Sequence, residues 1–164
     1  GKSTLCHNIM KALNWKAGGF TTYPVIKDGS RIGFDLSPLE NGLMITPGFP
    51  MARMKPSGEF QINSEAFDLI GIKAIERGLE GDNDCIIMDE IGRFERNNTP
   101  FLYTVWQAVM QEEIPVFVVL KKENLPFNQK VWELRDGLHV DLDLMTREEA
   151  FSVVVAYLKE GGKV

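Results

Sequence analysis

The apolar residues change period along the chain, and the changes mark its elements. From Ser3, the residues Leu5, Ile9, Ala12 and Leu13 recur at helical spacing, and Gly18-Gly19 reads as the stop of an opening helix. Residues 20–26 and 31–36 are strand-like. In the second run Ile32, Phe34 and Leu36 alternate with Arg31, Gly33 and Asp35, the pattern of a sheet with one buried face. Between the runs, Asp28-Gly29 supplies the positive φ angles of a tight hairpin turn. The stretch 37–58 carries Pro38, Pro47, Pro50 and Pro56 among its glycines, which predicts mostly loop with one short strand over 43–46.

Ser64 caps a predicted helix running to about Gly78, with Ala66, Ile70, Ala74 and Ile75 facing inward. Cys85-Ile86-Ile87-Met88 is a short apolar run that stops at Asp89-Glu90, as a buried parallel strand does. Thr99-Pro100 supplies an N-cap and a first-turn proline. Behind them Leu102, Val105, Trp106, Val109 and Met110 form an apolar stripe, with Trp106 in the core. Residues 116–120 predict a second apolar strand, 128–135 a short helix, and 138–142 a strand alternating with His139 and Asp141. Thr146-Arg147-Glu148-Glu149 is a capping box that opens the last helix, which continues to Gly161. Strands alternate with helices nearly throughout. The prediction is an α/β fold with a largely parallel central sheet flanked by helices, forming one domain over 1–164.

Composition narrows the function classes. Eighteen Lys+Arg against 23 Asp+Glu give a net charge of −5 without a long basic run, so general nucleic-acid binding is not expected. The apolar runs are too short to span a bilayer, so no membrane partner is expected. Cys6 and Cys85 lie far apart and outside any Cys-x-x-Cys pair, which points to a reducing, cytoplasmic compartment rather than to disulfides or zinc. Cys6, His7 and His139 stand without neighbours at metal-ligand spacing and read as packing or surface residues.

Two constellations carry chemistry. Gly1-Lys2-Ser3-Thr4, at the start of an amphipathic helix, is the second half of a phosphate-binding loop. Backbone N–H groups at a helix start attract phosphate oxygens, Lys2 adds a point charge, and the Ser3 hydroxyl suits Mg²⁺. Such a loop needs a strand to launch it, so about 8 to 14 residues comprising a strand and a glycine-containing loop are expected before Gly1. Asp89-Glu90, at the C-terminal edge of an apolar strand, lies where open α/β sheets bind ligands. Asp89 there suits Mg²⁺ and Glu90 an attacking water. Arg93 and Arg147 are candidates for reaching a γ-phosphate or for solvated surface charge. Arg31 suits a sheet-edge or salt-bridge role, and residues 51–55 suit either a loop closing over substrate or a packed loop.

Gly19-Phe20-Thr21-Thr22-Tyr23-Pro24-Val25, Arg31-Ile32-Gly33-Phe34-Asp35-Leu36 and Asp89-Glu90-Ile91-Gly92-Arg93-Phe94-Glu95 resemble three signature segments of the small thermophilic-type nucleoside-triphosphatases. The resemblance covers nearly the whole chain. It implies a three-layer, RecA-like P-loop fold whose first strand precedes Gly1, and hydrolysis of several nucleoside triphosphates, ATP and GTP among them, with Mg²⁺. Pro24 stands where that family's strand usually has Glu, Phe94 where Met is usual, and Thr146-Arg147 where Asn-Arg is usual. Two other functions share the phosphate loop: a kinase passing the γ-phosphate to a small acceptor, and a slow nucleotide-gated interaction module. A carboxylate directly after Asp89 favours water as the nucleophile.

Overall fold

The computed structural model describes residues 1–161. Its elements run α1 (Lys2–Leu13), β1 (Ala17–Lys27), β2 (Ser30–Glu40), β3 (Leu43–Met44), β4 (Phe49–Met54), β5 (Phe60–Ile62), a π-helical segment (Ala66–Gly71) continuing into α2 (Ile72–Glu80), β6 (Cys85–Ile91), α3 (Thr99–Met110), β7 (Val116–Leu120), α4 (Pro126–Trp132) and α5 (Arg147–Lys159). The strands form one sheet in the order β5-β4-β2-β1-β6-β7, with β3 on β2. Helices α1 and α5 cover one face over Leu5, Ile9, Ile87, Phe117 and Val154. The opposite face carries α2 and α3 over Phe20, Ile75, Met88, Phe101 and Val105. The expected three-layer α/β fold is therefore present. No helix among the described residues is long and apolar enough to cross a membrane.

The sheet is mixed. It is parallel across β1-β6-β7 and antiparallel across β1-β2-β4-β5. The expected hairpin is there, with Asp28 and Gly29 at φ 50 and 77. A second turn, Asn41-Gly42, with φ 51 and 78, folds β3 back on β2 inside the stretch expected to be mostly loop. Residues 49–54 of that stretch are β4, where Met51 and Ala52 are buried, so 51–54 is sheet, with Lys55 just beyond it, and not a closing loop. Pro50 is accommodated by a register shift opposite Phe34/Asp35.

Several boundaries move for identifiable reasons. Helix α1 ends at Asn14, left-handed at φ 53, whose N–H meets Lys11 O; Gly18-Gly19 lies within β1 instead. Asn63 rather than Ser64 caps the next helix, its Oδ1 accepting from Glu65 N at 3.3 Å. Asn98 rather than Thr99 caps α3, accepting from Phe101 N. In α3 the buried line is Phe101, Val105 and Ala108, while Trp106 is half-buried against Phe127 under the Lys130 ammonium. Helix α4 starts earlier than expected because Pro126 suits the first turn. Residues 138–142 do not form the expected strand: 138–141 belong to no regular element and 142 begins a turn, and a cavity of about 350 Å³, lined by Phe117, Val119 and Leu120 on one side and Leu138, Val140 and Leu142 on the other, lies between them and β7.

Glycine lets α2 approach β1. A Cβ on Gly18 would lie 2.6 Å from Gly78 Cα, and one on Gly19, at φ 101, would lie 2.1 Å from Ile87 O. A Cβ on Gly78 would lie 2.6 Å from Ile86 Cδ1 and 2.9 Å from Gly19 N. Alanine at 78 gains about 1 kcal/mol of helix propensity, but overpacking against backbone costs about 1–3 kcal/mol. Gly78→Ala is therefore expected to destabilise the protein. Urea unfolding checks this, and a variant as stable as the parent removes the close-packing account.

Candidate active site

The site forms where α1 begins and β6 ends. Helix α1 starts at Gly1 with no side-chain cap and no acidic residue in its first turn. Its first bonded amide is Leu5 N to Gly1 O, at 3.1 Å, so the amides of Lys2, Ser3 and Thr4 have no partner within the helix. They give this end positive character. Strand β6 is buried along its length and pairs in parallel with β1 and β7, Asp89 opposite Thr21 and Val119. The strand thus delivers Asp89 and Glu90 to the C-terminal edge of the parallel half-sheet.

The two carboxylates then diverge. Asp89 is 5% exposed, and its carboxylate lies 3.5 Å from Thr21 Oγ1. Burial holds its carboxyl above the usual range, Glu90 adds to the effect, and Ser3, Lys2 and Thr21 oppose it. Glu90 is more open. Its Oε2 lies 3.0 Å from Lys2 Nζ, and its Oε1 lies 4.0 Å from Lys121 Nζ. Lys2 Nζ also donates to Leu120 O at 3.1 Å, which ties the start of α1 to the end of β7.

Structure thus brings Gly1, Lys2, Ser3, Asp89 and Glu90 together, with Thr4 exposed on the first turn of α1. Arg147 joins them: Nη2 lies 4.0 Å from where a Cβ on Gly1 would stand. Its neighbour Thr146 caps α5 in the expected box with Glu149. Arg93 goes elsewhere, its guanidinium lying over the rings of Phe60 and Phe94 at 5.8 and 5.3 Å. Arg31 sits over Phe34 at 5.3 Å, a stacking role rather than a salt bridge.

Three further residues complete the surroundings. Thr21 carries no sequence signal of its own, although it occurs in a signature segment. Asn128 is buried and donates from Nδ2 to Ile91 O and to Lys121 O, 3.0 Å each, lacing together the chain ends beyond β6 and β7. Lys121 follows the apolar run of β7 just as Asp89 closes that of β6. The rule that ligands sit beyond the carboxyl ends of parallel strands would have found it.

Among the described residues no three His, Cys, Asp or Glu side chains cluster to hold a metal. Ser3 and Asp89 nevertheless fit Mg²⁺. The Ser3 hydroxyl is close enough to the buried Asp89 carboxyl to lower its pKa, so two hard oxygens share one spot, and Mg²⁺ characteristically takes one or two protein oxygens and the rest from phosphates and water.

The fold is that of a P-loop nucleoside-triphosphatase. It matches the crystal structure of THEP1 from the hyperthermophile Aquifex aeolicus with a TM-score of 0.69, covering 93% of this chain and 92% of that one at 21% identity. The sequence model of the NTPase family matches residues 1–155. Nucleoside-triphosphatase THEP1 of Thermotoga sp. (strain RQ2) is 30% identical over 161 residues, 97% of this chain and 90% of the relative. The protein of that name from Methanocaldococcus jannaschii is 30% identical over 125 residues, 74% of this chain and 72% of the relative. The chain belongs to this NTPase family and is a nucleoside-triphosphatase. The resemblance drawn from the three segments holds, and hydrolysis prevails over the kinase alternative.

Glu95 supports the loop after β6. It is 2% exposed, and its Oε2 accepts from Gly92 N at 3.0 Å. Burial pushes its carboxyl from 4.5 up to about 7; the hydrogen bonds from its own amide and from Gly92 oppose the rise, and Glu90 and Glu123 add to it. A raised carboxyl pKa means that the folded state binds more protons than the unfolded one between those values. The contribution of Glu95 to stability is therefore full below about pH 4.5 and is lost, on the order of 3 kcal/mol, as the pH rises through 7. Glu95→Gln keeps an acceptor for Gly92 and removes the titration. It is expected to match the parent near pH 5 and to exceed it in urea resistance at about pH 8. A difference that does not grow with pH contradicts the account.

Proposed function

We propose that the protein hydrolyses nucleoside triphosphates, ATP and GTP among them, to diphosphate and phosphate in a Mg²⁺-dependent reaction for which Glu90 is the general base. The observation that carries this reading is the 3.0 Å contact between Lys2 Nζ and Glu90 Oε2 across the ends of α1 and β6. It puts a phosphate-binding cation and a basic carboxylate on one spot. Incoming β- and γ-phosphates meet the unbonded amides of Lys2, Ser3 and Thr4 and draw Lys2 toward themselves. A Glu90 oxygen is then released to hold a water in line with the γ-phosphorus and take its proton. Ser3 and Asp89 are the residues that would hold Mg²⁺, which would supply neutralisation of phosphate charge. Arg147, beside Gly1, is the arginine placed to reach the phosphates; the stacking of Arg93 favours a scaffolding role.

One domain, 1–164, carries the reaction in this reading. The free, buried thiols of Cys6 and Cys85 support a reducing, cytoplasmic setting.

Charge-neutralising variants separate the two carboxylates. Glu90→Gln keeps size and removes the basic oxygen, so nucleotide binding is expected near the parent value with kcat lower by roughly 10²–10⁴. Asp89→Asn is expected to weaken Mg²⁺ dependence and nucleotide affinity together with rate. Steady-state phosphate release and binding titrations at several Mg²⁺ concentrations read both. Normal turnover by Glu90→Gln removes Glu90 as the base.

A further inference from the structure

Lys121 has no part in the phosphate loop or in the Asp89-Glu90 pair, yet three features aim it at the same spot. Its backbone is fixed on both sides: N–H donates to Ile91 O at 2.9 Å, and C=O accepts from Asn128 Nδ2 at 3.0 Å and from Glu123 N at 2.8 Å. Its stem is bedded on Gly92, where a Cβ would stand 3.3 Å from Lys121 Cβ and 3.4 Å from Cδ. Its ammonium then lies 4.0 Å from Glu90 Oε1 and 3.8 Å from Glu123 Oε1. With Lys2 on Oε2, the single Glu90 carboxylate is flanked by two cations.

Lys2 and Lys121 are balanced here by two carboxylates, Glu90 and Glu123, in half-exposed contacts that an incoming anion can replace. A γ-phosphate brings close to two negative charges into the space where Lys2 and Glu90 now meet, a charge that two ammonium groups match. We propose that Lys121 is a γ-phosphate contact: it approaches the terminal phosphate from the β7 side while Lys2 approaches from α1, and both leave Glu90 facing the water. Gly92 is then the seat that aims the lysine, which gives the glycine after Asp89-Glu90-Ile91 a physical task. The inference rests on the proposed placement of the phosphates at Lys2 and Glu90.

A γ-phosphate contact distinguishes triphosphate from diphosphate, whereas a structural lysine does not. The test compares binding of a non-hydrolysable β,γ-imido ATP analogue with binding of ADP, both with Mg²⁺. Lys121→Met is expected to reduce the preference for the analogue by about 10-fold or more and to lower kcat by about 10²-fold, the scale of losing one electrostatic donor at the transferring group. Lys121→Arg is expected to restore most of both. Gly92→Ala, which presses on the stem, is expected to shift the ratio in the same direction and to add nothing in the Lys121→Met background. Lys122→Met removes the adjacent charge, which is paired with Asp141 and Asp143, and is expected to leave the ratio unchanged.

An unchanged ratio in Lys121→Met overturns the proposal whatever happens to kcat, as does an equal shift in Lys122→Met. Glu90→Gln measured alongside keeps the two ideas apart. If its turnover is normal, the reading of the site fails. If its turnover falls while the Lys121→Met ratio stays put, Lys121 alone is wrong.

Discussion

Strand β6 is buried on both faces and hydrogen-bonded along both edges, to β1 and to β7, and its register sets the geometry of the site. Sliding it by one residue would exchange the faces of every side chain and carry Asp89 away from Ser3 and Thr21. Shape adds to these hydrogen bonds in securing the register. Gly18 and Gly19 in β1 let α2 and Ile87 O approach to distances that no side chain would allow, and Ile86 and Met88 fill the core beneath α2 and α3. Close packing at one end of the strand thus fixes the chemistry at the other.

The site gathers negative charge. Asp89, Glu90 and Glu95 lie within one short segment of an already acidic chain, and Asp89 and Glu95 are almost fully buried. Burial raises both carboxyls, and their hydrogen bonds offset only part of the cost. Glu90 stays open and is met by Lys2 and Lys121 instead. In the proposed mechanism these cations rest on a carboxylate until phosphate arrives. Exposed ion pairs of this kind add little stability, so the arrangement serves ligand exchange better than folding.

The antiparallel half of the sheet gives the loop after β6 something to lean on. Phe34 of β2, Phe60 of β5 and Phe94 pack with ring centroids 5.2 to 5.8 Å apart, and Arg93 covers two of those rings. Phe94 supplies the third ring of this contact. Asp35, paired with Arg53 at 2.7 Å, braces the strands behind it.

The alternation of apolar and polar runs is enough to establish the layers, the parallel strands 85–91 and 116–120, and the first and last helices, because each buries one continuous stripe or run. Gly-Lys-Ser-Thr and Asp89-Glu90 are legible for the same local reason: a helix start and a strand end announce themselves in a few residues. The sheet's antiparallel half is legible only in its β1-β2 hairpin and the short strand at 43–44. Prolines in 37–58 suggest loop, and only pairing of β4 with β2 through a register shift makes a strand of residues 49–54. Nor does the chain's order reveal that Arg147 reaches Gly1 while Arg93 lies down on phenylalanine, or that Lys121 shares Glu90 with Lys2. Helices and strands follow from neighbours a few residues apart, whereas a site is made where distant strand ends meet, and those distances exist only once the sheet has closed its register.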